Sequence, residues 1–332
     1  MIGEQSILPV IFMCLMGLAL LVYVTLDGFD LGVGMLLPFG SEQEKDRMVA
    51  AIGPFWDANE TWLVLGVGLL LIAFPKAHGI VLTSLYLPVT IMLLGLVLRG
   101  VAFDFRVKVH ADNKQRWNRA FFAGSLIASV AQGWMLGSYI TGFQQGWIYT
   151  AFSLLIALAL PAAYLMLGAC WLIIKSENEL QQRAIRWAKW AWPLLVLGIF
   201  LISIATPLAS ATVAERWFRM PEFLSLLPIP LMTIATLIAA RVLLNSSRVK
   251  HKLRHLPFAL IAIAMLWSAF GLAYSIFPYV IMDQMTIWQA ASADDSLMFI
   301  LWGTAITLPM IIGYTIFSYR VFTGKAQELQ YG

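Results

Sequence analysis

The sequence predicts an all-α polytopic membrane protein of about nine transmembrane helices. Three observations predict it. The 332 residues are 60% apolar and only 12% charged, about half the charge of a typical soluble domain. The apolar residues gather in long runs, each near the about 20 residues that a bilayer-spanning helix needs. The runs are uniformly apolar, whereas barrel strands alternate and last about 10 residues. In lipid, only helices and closed barrels pair all their backbone groups internally.

Nine runs qualify, at roughly 7–27, 54–75, 79–105, 120–142, 148–174, 190–210, 223–244, 256–280 and 297–319. They form a single transmembrane domain over 1–332, divisible into two four-helix bundles (about 1–142 and 148–280) and a final helix at 297–319. The first run reads as helix one rather than a signal peptide. Glu4 is its only flanking charge, and no small-residue cleavage site precedes Asp27. The fourth run, rich in glycine, alanine and serine, suits close helix contact. Cys14 and Cys170 fall inside apolar runs and are expected as buried free thiols. Trp56, Trp62, Trp134, Trp147, Trp187 and Trp288 lie near span ends and are expected as interfacial belts.

Lysine and arginine set the orientation. Counted over alternate sides of the membrane, 18 of the 22 fall on one side and 3 on the other, with Arg99 inside a span. The N-terminus is therefore expected in the periplasm and the C-terminus in the cytoplasm. The net charge of +4 is an orientation signal. The basic loops are short and lack interleaved aromatic residues, so nucleic-acid binding is not supported.

With that orientation, five acids and one arginine share one depth at the cytoplasmic side. Asp27 and Asp30 close the first run, Asp57 and Glu60 open the second, and Arg99 and Asp104 lie near the end of the third. Ionisable groups against hydrocarbon are rare and mark functional sites. A three-residue spacing puts Asp27 with Asp30, and Asp57 with Glu60, on common helix faces. Asp57 also sits in a first helical turn, where the helix dipole favours an anion, so a plain capping role competes. Asp30, beside Gly28, Gly32 and Gly34, competes as a turn former. Arg99 either snorkels or pairs. Pairing is favoured, with an acid on another helix or with a partner's anionic group. Such a cluster reads as a proton-uptake point, a cation site or an interface lock. The residues alone do not rank these.

His78 lies in an outer turn; His110, His251 and His255 lie in basic loops. None is mid-span, so no haem or redox-metal ligand is expected in this chain.

The motifs Leu26-Asp27-Gly-Phe-Asp30-Leu-Gly-Val-Gly, Pro54-Phe-Trp56-Asp57-Ala-Asn59-Glu60-Thr-Trp62 and Arg99-Gly-Val-Ala-Phe-Asp104-Phe-Arg106, in this order, resemble subunit II of cytochrome bd-type quinol oxidases. The stretches Gly271 to Pro278, Thr286-Ile-Trp288-Gln-Ala and Leu308-Pro-Met-Ile-Ile-Gly-Tyr314 look like that family's C-terminal part. Residues 140–255 carry the weakest resemblance. The compact middle looks more like the cyanide-insensitive branch.

The resemblance implies a heterodimer with a haem-bearing subunit I, in the bacterial inner membrane. Haems b and d, or b alone, belong to that partner, where quinol and oxygen react. A small single-helix accessory subunit can join, and some members hold a structural quinone. It implies a proton-route role for Asp57, supported by Trp56 and Asn59, with Asp27, Asp30 and Asp104 matching other family acids. Glu60 is a glutamine in some relatives. Two other classes compete: a secondary transporter with a carboxylate-coupled cation site, and a purely structural assembly subunit. Transporters often break their helices at mid-membrane, whereas here the Gly/Pro interruptions sit mostly at span ends.

Overall fold

The computed structural model describes residues 6–109 and 111–326; His110 and Glu4 lie outside them. Among the described residues, nine helices are long and apolar enough to cross a membrane. The first, α1, runs Leu8–Leu36. It does not end at Asp27 but continues through both aspartates. Every residue from Asp27 to Leu37 is buried, so protein rather than water surrounds these charges. The nearby glycines are contact points, not turn formers. A Cβ on Gly28 would lie 2.7 Å from the Tyr164 ring, and one on Gly32 would overlap the Tyr164 carbonyl oxygen.

A short amphipathic helix, α2 (Glu42–Ala50), follows, started by a capping box between Ser41 and Glu44. Ion pairs fasten it: Asp46 meets Arg106 at 2.8 Å and Lys114 at 3.3 Å, and Glu44 meets Arg183 at 3.3 Å. Then come α3 (Trp56–Ala73), α4 (Pro75–Ser84) and α5 (Tyr86–Lys108). The run expected at 79–105 is thus divided at Leu85, and only α5 is a span. Next are α6 (Ala111–Ile140), α7 (Trp147–Lys175) and α8 (Asn178–Ala209). Two short helices, α9 (Ala211–Phe218) and α10 (Glu222–Leu226), lead into α11 (Pro228–Asn245). After α12 (Leu256–Ile276), strands β1 (Tyr279–Ile281) and β2 (Met285–Thr286) form an antiparallel hairpin. Helix α13 (Ile287–Ala290) and the final span α14 (Asp294–Val321) complete the chain.

Helix α1 is the axis of the first half, packed on α3, α6 and α7, while α5 packs on α6, α7 on α8, and α11 on α12. The small residues of α6 permit these close approaches. A Cβ on Gly124 would lie 2.6 Å from Gly95 O, and one on Gly133 2.6 Å from Ala157 Cα. Helix α14 is peripheral and leans on α3. Two further expectations are corrected. Cys14 lies on an exposed helix face, and only Cys170 is buried; both are free thiols. Trp62 is no belt residue: it is buried and donates Nε1–H to Thr315 Oγ1 at 3.3 Å, tying α3 to α14.

Candidate functional site: a buried ion cluster between three helices

Arg99 points from α5 into the bundle and is 2% exposed. Its Nη1 donates to Asp27 Oδ1 at 2.6 Å, and its Nη2 donates to Glu60. The guanidinium carbon also stands 5.9 Å from the Trp56 ring centroid. Arg99 thus meets acids on two other helices and does not snorkel. A bare arginine at this depth would be costly, and these paired, charge-assisted bonds offset that cost.

Beside this triad, Asn59 bridges three helices. Its Nδ2 donates to Asp30 Oδ2 at 2.7 Å and reaches Leu26 O at 3.4 Å, and its Oδ1 accepts from Tyr319 OH at 3.0 Å. Asp30 is therefore a hydrogen-bonded core residue, not a turn former. One oxygen each of Asp27 and Asp30 (Oδ2 and Oδ1) has no hydrogen-bond partner among the described residues. A cavity of about 10 Å³ lies between Asp30, Trp56, Arg99, Gly100 and Phe103. That is about the volume of one water molecule's centre, and the surface facing it is apolar.

Not all six predicted residues converge. Asp57 does lie in the first turn of α3, but its side chain is exposed and makes no capping bond. Asp104 is also exposed, on the outside of α5. The reason is rotational phase. Five residues carry Asp104 about 140° around the helix from Arg99. Asp57 sits about 60° from Glu60, enough to leave the edge of the contact.

A second polar network escaped sequence reasoning. Tyr164 OH donates to Gln132 Oε1 at 2.6 Å, and Gln132 Nε2 donates to Tyr23 OH at 2.8 Å. All three residues are buried. Tyr23 lies one helical turn from Asp27 on α1, so this chain of bonds abuts the triad. Gln132 in a span was the available signal, because a buried amide needs partners; the tyrosines look like ordinary aromatic packing.

No group of three or more His, Cys, Asp or Glu side chains placed to hold a metal occurs among the described residues. His78 is half-buried in α4, and His251 and His255 are exposed between α11 and α12.

The family model described as cytochrome bd terminal oxidase subunit II matches residues 8–322. The chain is 29% identical over 323 residues to the cytochrome bd ubiquinol oxidase subunit 2 of Bacillus subtilis, covering 91% of this chain and 92% of that one. It is 24% identical over 375 residues to the cytochrome bd-I ubiquinol oxidase subunit 2 of Escherichia coli, covering 97% and 96%. Its fold is similar to a chain of the bd oxidase from Geobacillus thermodenitrificans, with a TM-score of 0.74, 17% identity, and coverage of 96% and 99%. A match over nearly the whole chain, in sequence and in fold, makes this polytopic protein a member of the cytochrome bd terminal oxidase subunit II family.

Proposed function

We propose that this chain is the haem-free subunit of a bd-type quinol:oxygen oxidoreductase. In this reading it supports a haem-bearing subunit I in the bacterial inner membrane and contributes acids to proton uptake from the cytoplasm. The observation that carries the reading is a gradient of burial. Asp57 is exposed, Glu60 has 32% of its side chain exposed, Asp27 has 1%, and Asp30 has none. Acids stepping inward offer successive proton-holding sites, and Arg99 compensates part of their charge. Asp27 and Glu60 share one guanidinium, and Asp30 stands beside them on Asn59 without an ion pair of its own, which leaves the cluster room to exchange protons. Asn59 and Trp56 hold the acids in place, by hydrogen bond and by stacking on Arg99. The guanidinium occupies the position that a coupling cation would need, which weighs against the transporter reading.

Asp57→Asn tests the route. The amide is nearly isosteric and cannot titrate, so haem content of the purified complex should be unchanged and oxygen consumption strongly reduced. Full haem with unchanged turnover would remove Asp57 from the route.

A further inference from the structure

Four basic groups from three separate segments meet at the lysine- and arginine-rich end of the bundle. Lys175, the last residue of α7, is 6% exposed. Its Nζ donates to Phe322 O at 2.6 Å and stands over the rings of Phe55 and Trp171, at 4.7 and 5.3 Å. The tail after α14 folds back over this helix end. Lys325 Nζ donates to Ser176 O at 2.6 Å, and Ala326 N donates to Lys175 O at 2.8 Å. Arg254 and His255, just before α12, complete the group, with Arg254 Nε donating to His255 Nε2 at 3.3 Å.

These groups feel one another. Burial, then Arg254, Lys325 and Lys175, hold the His255 imidazole below its ordinary 6.5. Burial, then Arg254, hold the Lys325 ammonium below its ordinary range, and Glu177 alone opposes. No ion pair among the described residues involves any of the four. The loop leading to them, 247–255, adds Arg248, Lys250, His251 and Lys252 and contains no acid.

A helix C-terminus accounts for one cation, and the positive-inside rule accounts for the sign of the loop. Neither requires three segments to bring together basic groups that have no acidic partner among the described residues. Such a group calls for a counter-anion. Its setting indicates which kind: it lies where α7 and α14 end and α12 begins, and two apolar side chains beside it, Leu256 and Phe322, are 45% and 49% exposed. A headgroup phosphate would meet the cations while acyl chains cover the apolar side chains. We propose that Arg254, His255, Lys325 and the end of α7 bind the phosphate of an anionic phospholipid, which pins the C-terminal tail to the bundle.

The test uses the purified, delipidated complex and native mass spectrometry with added phosphatidylglycerol, phosphatidylcholine or inorganic phosphate. The wild type should retain phosphatidylglycerol over phosphatidylcholine. The Arg254→Gln/Lys325→Gln variant should bind it about tenfold more weakly, the equivalent of one charge-assisted hydrogen bond. The Arg248→Gln/Lys252→Gln variant, with the same charge change, should bind as wild type. Equal loss in both variants means diffuse attraction and overturns the site. So does equal retention of the two lipids, or full displacement of phosphatidylglycerol by inorganic phosphate, which means a free-phosphate site. If the double variant fails to assemble, Lys325→Gln alone, in the tail, must reproduce a weakening for the proposal to stand.

Discussion

Gly32 and Gly168 touch backbone to backbone where α1 crosses α7. A Cβ on Gly168 would lie 2.5 Å from Gly32 C, and one on Gly32 would lie 3.0 Å from Gly168 N. The contact presses the charged half of α1 against the most enclosed helix of the fold, with no room for a side chain on either surface.

Gly32→Ala should therefore force α1 and α7 apart. Overpacking of a tight core costs about 1–3 kcal/mol, and here the obstacle is backbone, which cannot rotate away. Gly68→Ala is the matched control, since nothing lies within 4 Å of its added methyl. The yield of assembled complex should fall for Gly32→Ala and hold for Gly68→Ala.

Arg99→Leu should disrupt assembly far more than Arg320→Leu. Removing one partner of a buried ion pair costs about 3–5 kcal/mol, and Arg99 has two such partners. Arg320 is exposed at the end of α14. Equal yields from both variants would contradict the energetic role of the triad.

Tyr164→Phe removes the donor to Gln132 and leaves a buried amide oxygen unpaired. The expected destabilisation is about 1–3 kcal/mol, read as a lower denaturation midpoint of the purified complex. An unchanged midpoint would mean that Gln132 finds another donor.

His255 confers a pH dependence of definite sign. Its folded pKa lies below 6.5, so the unfolded chain binds more protons in the window between the two values, and stability rises with pH there. Its contribution is full above pH 6.5 and is lost as pH falls through the depressed value. In neutral detergent, thermal stability should drop on acidification below 6.5, and His255→Gln should drop less. Added anionic lipid should reduce the wild-type drop.

The nine spans were legible because a bilayer demands long apolar runs, and nothing else in a chain so poor in charge produces them. Their ends were not. Asp27 and Asp30 looked like the close of a helix, yet helix α1 passes through them because α6 and α7 supply the burial. The need of Arg99 for acids was legible from its depth. Which acids it takes depends on rotational phase, and this separates Asp27 and Glu60 from Asp57 and Asp104. The Tyr23–Gln132–Tyr164 chain was hidden because tyrosines within apolar runs resemble plain packing until their hydroxyls are placed.

The triad also has a direction in time. Asp27 leaves the ribosome first, Glu60 second and Arg99 third, so the guanidinium enters a bilayer that already holds both of its counter-charges. In a chain permuted to begin at α5, the arginine would have to insert alone, at about 2.5–3.5 kcal/mol on translocon scales. A carboxyl can enter neutral by taking a proton, whereas a guanidinium cannot shed its charge, so this succession of helices spares the one group of the triad that must stay ionised.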